Sequence, residues 1–177
     1  MAGILRVDQA NVDFIYSKTA GRGVYIPGYI IQVQNTKANY NWGSWGTTSE
    51  MDMSWMDVSL TTRGTNSSFY VAAQFNLDDT NSAACGAGLG VKYSTNGGST
   101  FTAIKAPQLH EFYDSTSADK YRTITLNVTS NALGIAIGTT VVFRCSARFN
   151  NSNVQHFGGN GYDPYYAQTH TVMEIAT

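Results

Sequence analysis

"VVFRCSARF", Val141 to Phe149, sets Val141, Phe143, Cys145, Ala147 and Phe149 on one side and Val142, Arg144, Ser146 and Arg148 on the other. Strict two-residue alternation places successive side chains on opposite faces, which an extended strand does and a helix does not. The row containing Cys145 is apolar throughout, so this strand has one face made for a core.

The same signature recurs along the chain. "FYVAAQFNL" aligns Phe69, Val71, Ala73, Phe75 and Leu77, and "AGLGVKYS" aligns Ala87, Leu89, Val91 and Tyr93. "YRTITLNV" sets Ile124, Leu126 and Val128 against Thr123, Thr125 and Asn127, and "SWMDVSLTTR" sets Met56, Val58 and Leu60 against Trp55, Asp57 and Ser59. "YIIQVQN" puts Tyr29, Ile31 and Val33 on one face and Gln32 and Gln34 on the other. Helical periodicity is almost absent; a helical turn or a loop fits "TSNALGIAIG". About eight one-faced strands separated by Gly, Asn and Ser connections bury their apolar rows by packing two sheets together. The expected class is all-β, an antiparallel two-sheet β-sandwich, and a jelly roll fits the strand count.

A chain of 177 residues fits one domain, and at that length it buries roughly two-thirds of its unfolded surface without a metal or disulfide. Charged residues make up only 13 % of it and the net charge is −1. The average is about 25 %. With no basic block, the electrostatic footprint of a nucleic-acid binder is missing. No stretch approaches ~18 uninterrupted apolar residues, so no membrane-spanning helix is expected, and "MAGILRVDQANVDF" has no apolar signal region. The expected partners therefore include neither nucleic acid nor membrane. Cys85 and Cys145 lack the spacing of a zinc or redox pair, and Cys145 is expected to be a buried, reduced thiol.

Motifs that carry chemistry are scarce. No nucleophile elbow, zinc-protease helix or phosphate loop is present. "LHEFYD" brings together His110, Glu111 and Asp114, and "NLDDTN" brings together Asp78, Asp79 and Asn81, but solvated turns account for both without an ion. "STNGGSTF", Ser94 to Phe101, resembles the Asp-box hairpin of sialidase-type propellers, with Asn96 for the Asp and Phe101 for the Trp. Asn-Gly and Gly-Gly supply the positive φ a tight hairpin needs, and the motif does not repeat, so a hairpin turn is expected. Neither a catalytic residue, a cofactor nor a metal is expected. Two long connections carry aromatic rings on small polar backgrounds, in the manner of binding loops: Trp42 and Trp45 in one, His156, Phe157 and Tyr162 in the other.

The chain closes on "YYAQTHTVMEIAT", Tyr165 to Thr177, which stays strand-like almost to its end. Met173 and Ile175 share one face, and His170, Val172 and Glu174 the other. If both faces are buried, Glu174 needs a partner, because an unpaired buried carboxylate is costly. A subunit interface formed by His170, Val172 and Glu174 would provide one. At the other end, "MAGILRVDQANVDFIY" is too apolar for a free tail and lacks helix caps, so residues 1–24 are expected to form an extended arm and residues 25–177 the sandwich. Ile4, Leu5 and Val7 are its expected contacts with a neighbouring sheet edge.

The two ends together resemble a known group. "MAGILRVD" is similar to the opening, and "THTVMEIAT" to the closing strand, of marine tailed-phage virion proteins whose heads are TNF/C1q-like jelly rolls. The opening departs from that pattern at Ile4 and Arg6, and no repetitive shaft separates arm from head. The resemblance implies a homotrimer without catalysis, with the closing strand near the subunit contacts. It implies a virion location: a trimeric capsid decoration (cement) protein on the outer shell, contacting the major capsid protein or neighbouring virion proteins. An alternative is the receptor-binding head of a short tail fibre or knob, with a host surface glycan or protein as partner. An alternative of another class is a jelly-roll carbohydrate-binding module or enzyme, which Trp42, Trp45 and the Asp-box-like hairpin favour and the lack of paired carboxylates opposes.

Overall fold

The computed structural model describes residues 28–38, 44–45, 48–79, 85–108, 110–112, 120–149, 155–157 and 168–177. The expected arm, residues 1–24, and its boundary lie outside them. Among the described residues, twelve strands make up most of the regular structure: β1 (Ile30–Ala38), β2 (Ser44–Trp45), β3 (Met51–Asp52), β4 (Val58–Thr61), β5 (Ser68–Asp79), β6 (Cys85–Ser94), β7 (Thr102–Lys105), β8 (His110–Phe112), β9 (Lys120–Thr129), β10 (Thr140–Phe149), β11 (Gln155–Phe157) and β12 (Gln168–Ile175). The stretch 130–139 is irregular and ends in a turn. Among the described residues the helical element is instead a single 3-10 turn at Ser54–Met56, directly before β4.

The strands form two antiparallel sheets. One runs β1–β12–β5–β9, with β11 and then β2 continuing beside the far end of β5. The other runs from β4 and β3 through β10 and β6 to β7 and β8. Set face to face, β1–β12–β5–β9 and β4–β10–β6–β7 have the strand order of a jelly roll, with the chain crossing repeatedly between sheets. The expected fold class is what the protein adopts.

The alternation read in the sequence places the core. Val141, Phe143, Cys145, Ala147 and Phe149 of β10 are all buried, as are Phe69, Val71, Ala73 and Phe75 of β5. They meet between the sheets, where the rings of Phe69 and Phe143 lie 5.0 Å apart at a 49° tilt. Burying each such ring contributes roughly 1.5–3 kcal/mol. Cys145 is a free, buried thiol, so it is not bridged to Cys85.

The closing strand β12 is central to its sheet. It pairs with β1 from Ile30↔Ile175 to Ala38↔Gln168, and with β5 from Ile175↔Ser68 to Thr169↔Gln74. Beyond the ladder, Gly28 N donates to Ala176 O at 2.8 Å and Ala176 N to Tyr29 O at 2.9 Å. The strand pattern persists to the end of the sequence because both edges of that strand are paired.

The row expected in "YIIQVQN" does not survive. A register shift between Ile30 and Gln32 turns the chain over, leaving Tyr29 and Val33 57 % and 46 % exposed. Gln32 instead reaches Glu174, and that demand outweighs the simple alternation.

Candidate functional site

His170, Val172 and Glu174 do not form a subunit interface. All three have no solvent-accessible surface within the single chain and project between the two sheets. Glu174 needs no neighbouring subunit, because its own chain supplies the partners. Arg63 N donates to both oxygens of Glu174 (3.0 and 3.1 Å), Gly64 N to Oε1 (2.8 Å) and Ser67 Oγ to Oε1 (2.8 Å), while Gln32 Nε2 donates to Oε2 (2.5 Å). Two backbone amides, a hydroxyl and an amide side chain thus solvate the carboxylate in place of water. A Cβ at Gly64 would collide with Ser67 Oγ and Ile31 Cδ1, so a larger residue here would push aside the hydroxyl that binds Glu174.

At the other end of β12, His170 Nδ1 donates to the Met56 carbonyl (2.7 Å) at the close of the 3-10 turn. Trp55 Nε1 donates to Gln168 Oε1 (3.2 Å). The Nε2 atoms of Gln168 and His170 have no hydrogen-bond partner among the described residues. Desolvation lowers the His170 pKa, opposed in part by the Met56 carbonyl and by Asp57. A neutral imidazole inside a core anchors a turn; it is not placed for acid–base work on a substrate.

The faces that point away from the core differ sharply. Residues paired across strands share a face. On the outside of the first sheet the pairing gives Val33–Met173–Tyr70–Thr129, then Asn35–Thr171–Ala72–Asn127, with Ile30 beside Ile175 at the end. Ile30 and Val33 are 45 % and 46 % exposed, and this stretch carries no charged side chain before Lys37.

The second sheet's outer face is occupied by ions. Arg144 grips Asp57 with two hydrogen bonds (2.9 and 2.6 Å) and reaches Asp52 at 3.4 Å. Lys92 pairs with Asp52 and lies 3.9 Å from Glu50. Both cations lie over the Phe101 ring, Arg144 at 4.3 Å and Lys92 at 5.6 Å. The hydrogen bond and charge of Asp57 raise the Arg144 pKa further. One face satisfies itself, and the other leaves apolar side chains in water.

The expected binding loops are only partly described. Trp42 and Tyr162 lie outside the described residues, as do Ile4, Leu5 and Val7 of the arm. Trp45, His156 and Phe157 fall on β2 and β11, where Trp45 pairs with Gln155 and Ser44 with His156, so the backbones of the two loops run side by side. Their side chains lie outside the described residues, as do those of His110, Glu111, Asp78 and Asp79. Among the described residues, no group of three or more His, Cys, Asp or Glu side chains could hold a metal ion. Among the described residues, no helix is long and apolar enough to cross a membrane.

The Ser94–Phe101 segment is a hairpin turn, as its sequence indicates. It links β6 to β7, with Gly97 and Gly98 at φ 70° and 84°. Asn96 Oδ1 accepts from Thr100 N (3.0 Å) and from Ser94 Oγ (2.8 Å), which closes the turn.

These features define a jelly-roll β-sandwich with one outer face held by ion pairs and one uncharged outer face that is apolar at its Ile30 and Val33 end. No protein-family model matches the sequence, and no curated protein does. Among solved structures, dimeric latent PorU from Porphyromonas gingivalis is 14 % identical with a TM-score of 0.43; the alignment covers 89 % of this chain but only 14 % of that one. Eiger TNF from S. frugiperda is 11 % identical with a TM-score of 0.42, over 81 % of this chain and 86 % of that one. A family 16 carbohydrate-binding module is 11 % identical with a TM-score of 0.22, over 75 % and 72 %. The jelly-roll assignment rests on the strand order of the two sheets rather than on these likenesses.

Proposed function

We propose that the chain is a non-enzymatic structural protein of a phage virion, a homotrimer that decorates the outer capsid shell. The observation that carries this reading is the contrast between its two outer faces. Apolar side chains exposed at Ile30 and Val33, with the half-buried Met173 and Ile175 paired beside them, lose that cost when a second copy covers them. The strand carrying Met173 and Ile175 is also the one whose sequence resembles the closing strand of phage virion heads. The similarity of "MAGILRVD" to the opening of those proteins supports the virion location. In this role the arm, through Ile4, Leu5 and Val7, holds the trimer to the major capsid protein or to a neighbouring virion protein.

Light scattering on the purified protein tests the trimer. The expected mass is three times that of the 19.2 kDa chain. Val33→Asp, at an exposed position on an edge strand, should shift it to the monomer without changing the circular dichroism spectrum. A wild-type monomer at micromolar concentration, with no assembly on shells, contradicts the proposal.

A further inference from the structure

Where β6 turns into β7, the hairpin faces the connection between β9 and β10 across a cleft of about 350 Å³. Its lining includes Tyr93, Thr95, Thr102, Leu133, Ile135 and Thr139, with no charged side chain. We propose that this cleft is a binding site for one neutral sugar residue.

The walls are fixed before any ligand arrives. On the hairpin side, Ser94 Oγ accepts from Gly98 N (2.9 Å) and Asn96 Oδ1 accepts from Thr100 N (3.0 Å). On the opposite side, Thr62 Oγ1 donates to Ala136 O (2.6 Å) and accepts from Thr139 N (3.1 Å), while Gly138 N donates to Thr62 O (2.9 Å). A site that needs no ordering loses less affinity to entropy.

The free groups of the cleft specify the ligand. The hydroxyls of Ser94 and Thr100 are spent on the turn. Those of Tyr93, Thr95, Thr102 and Thr139 make no hydrogen bond among the described residues. Each is both donor and acceptor, as is every hydroxyl of a sugar. With no Lys or Arg in the lining, nothing there compensates a phosphate, sulfate or carboxylate. Ile135 belongs to the core and Tyr93 and Leu133 pack against it, so the cleft meets a ligand chiefly with hydroxyls, the pattern that a polyhydroxylated neutral ring matches. The volume lies at the small end of ligand sites, which suits one ring rather than a chain of them. The site is independent of the trimer and of the virion location, so either can fail without the other.

Saturation-transfer NMR on the full chain, with amide shifts as the map, decides it. The probes are glucose, galactose, mannose and N-acetylglucosamine, with glucuronic and sialic acids as charged counterparts. At least one neutral sugar should bind with millimolar affinity and shift the Tyr93 and Thr102 amides. Thr102→Arg should weaken that binding about tenfold or more by filling the cleft. If that variant melts early, Thr95→Arg in the exposed turn takes its place. The proposal is overturned if no neutral sugar shifts these amides, if the filled variant binds as tightly, or if the acids bind as well as the neutral sugars.

Discussion

Gln32 Nε2 lies 2.5 Å from Glu174 Oε2, joining a half-exposed residue of the edge strand β1 to a carboxylate with no solvent-accessible surface. The same amide reaches the Thr61 carbonyl of the opposite sheet at 2.6 Å. One side chain thereby ties both sheets to the buried charge.

Glu174→Ala should destabilise the fold by about 3 kcal/mol or more, because it strands the Arg63 and Gly64 amides and the Ser67 hydroxyl. Glu174→Gln should also destabilise, since its amide nitrogen would face other donors. Gln32→Ala should cost less, about 1–2 kcal/mol. Urea unfolding monitored by fluorescence measures all three, and a neutral Glu174→Ala would refute the inferred role of the carboxylate.

His170 gives the protein an acid limb. Its folded-state pKa lies below the ordinary value of about 6.5, so the unfolded chain binds the proton more readily. Stability from this group is therefore complete above about pH 6.5 and declines as pH falls toward the folded-state pKa. Melting temperatures measured from pH 8 down to pH 5 should fall. In His170→Gln, which cannot titrate, the decline over this range should be shallower.

Cys145 should be inert in the native state. Burial first, and then the charge of Asp57, push its thiol pKa far above the ordinary range, so almost no thiolate exists at neutral pH. Alkylation followed by peptide mass analysis should leave Cys145 unmodified in buffer and modify it fully in denaturant. Rapid native labelling would show that the core opens.

Deleting Met1 to Val12 should leave the sandwich folded, because the core rows begin beyond that segment, with Met53 as the first buried apolar residue described. Attachment to capsid shells should weaken. Circular dichroism and co-sedimentation with stripped shells separate the two effects. Unfolding would make the segment an integral strand, and undiminished binding would end its anchoring role.

The sandwich was legible because β5, β6, β9 and β10 repeat apolar residues every second position, a signal each strand carries by itself. Phe143 and Cys145 needed no distant information to be placed in the core. Glu174 did. Its partners at Arg63 and Gly64 lie more than a hundred residues earlier, in a polar loop with no hydrophobic signature. His170 was misplaced for the same reason, since its acceptor is the Met56 carbonyl of a 3-10 turn too short to leave a periodic trace. The bulge at Ile31 follows from these long-range demands and was invisible in "YIIQVQN". The cleft beside Tyr93 was half legible: the sequence marked the hairpin, but the opposing wall at Leu133 and Ile135 depends on tertiary packing.

The most direct test of the decoration role is the position of the protein on intact particles, by gold-labelled antibody and by a density map. The expected result is labelling spaced regularly over the shell, with trimeric density at each position and the faces carrying Ile30 and Val33 turned toward one another. Labelling confined to the tail, or absent from the particle, would contradict it.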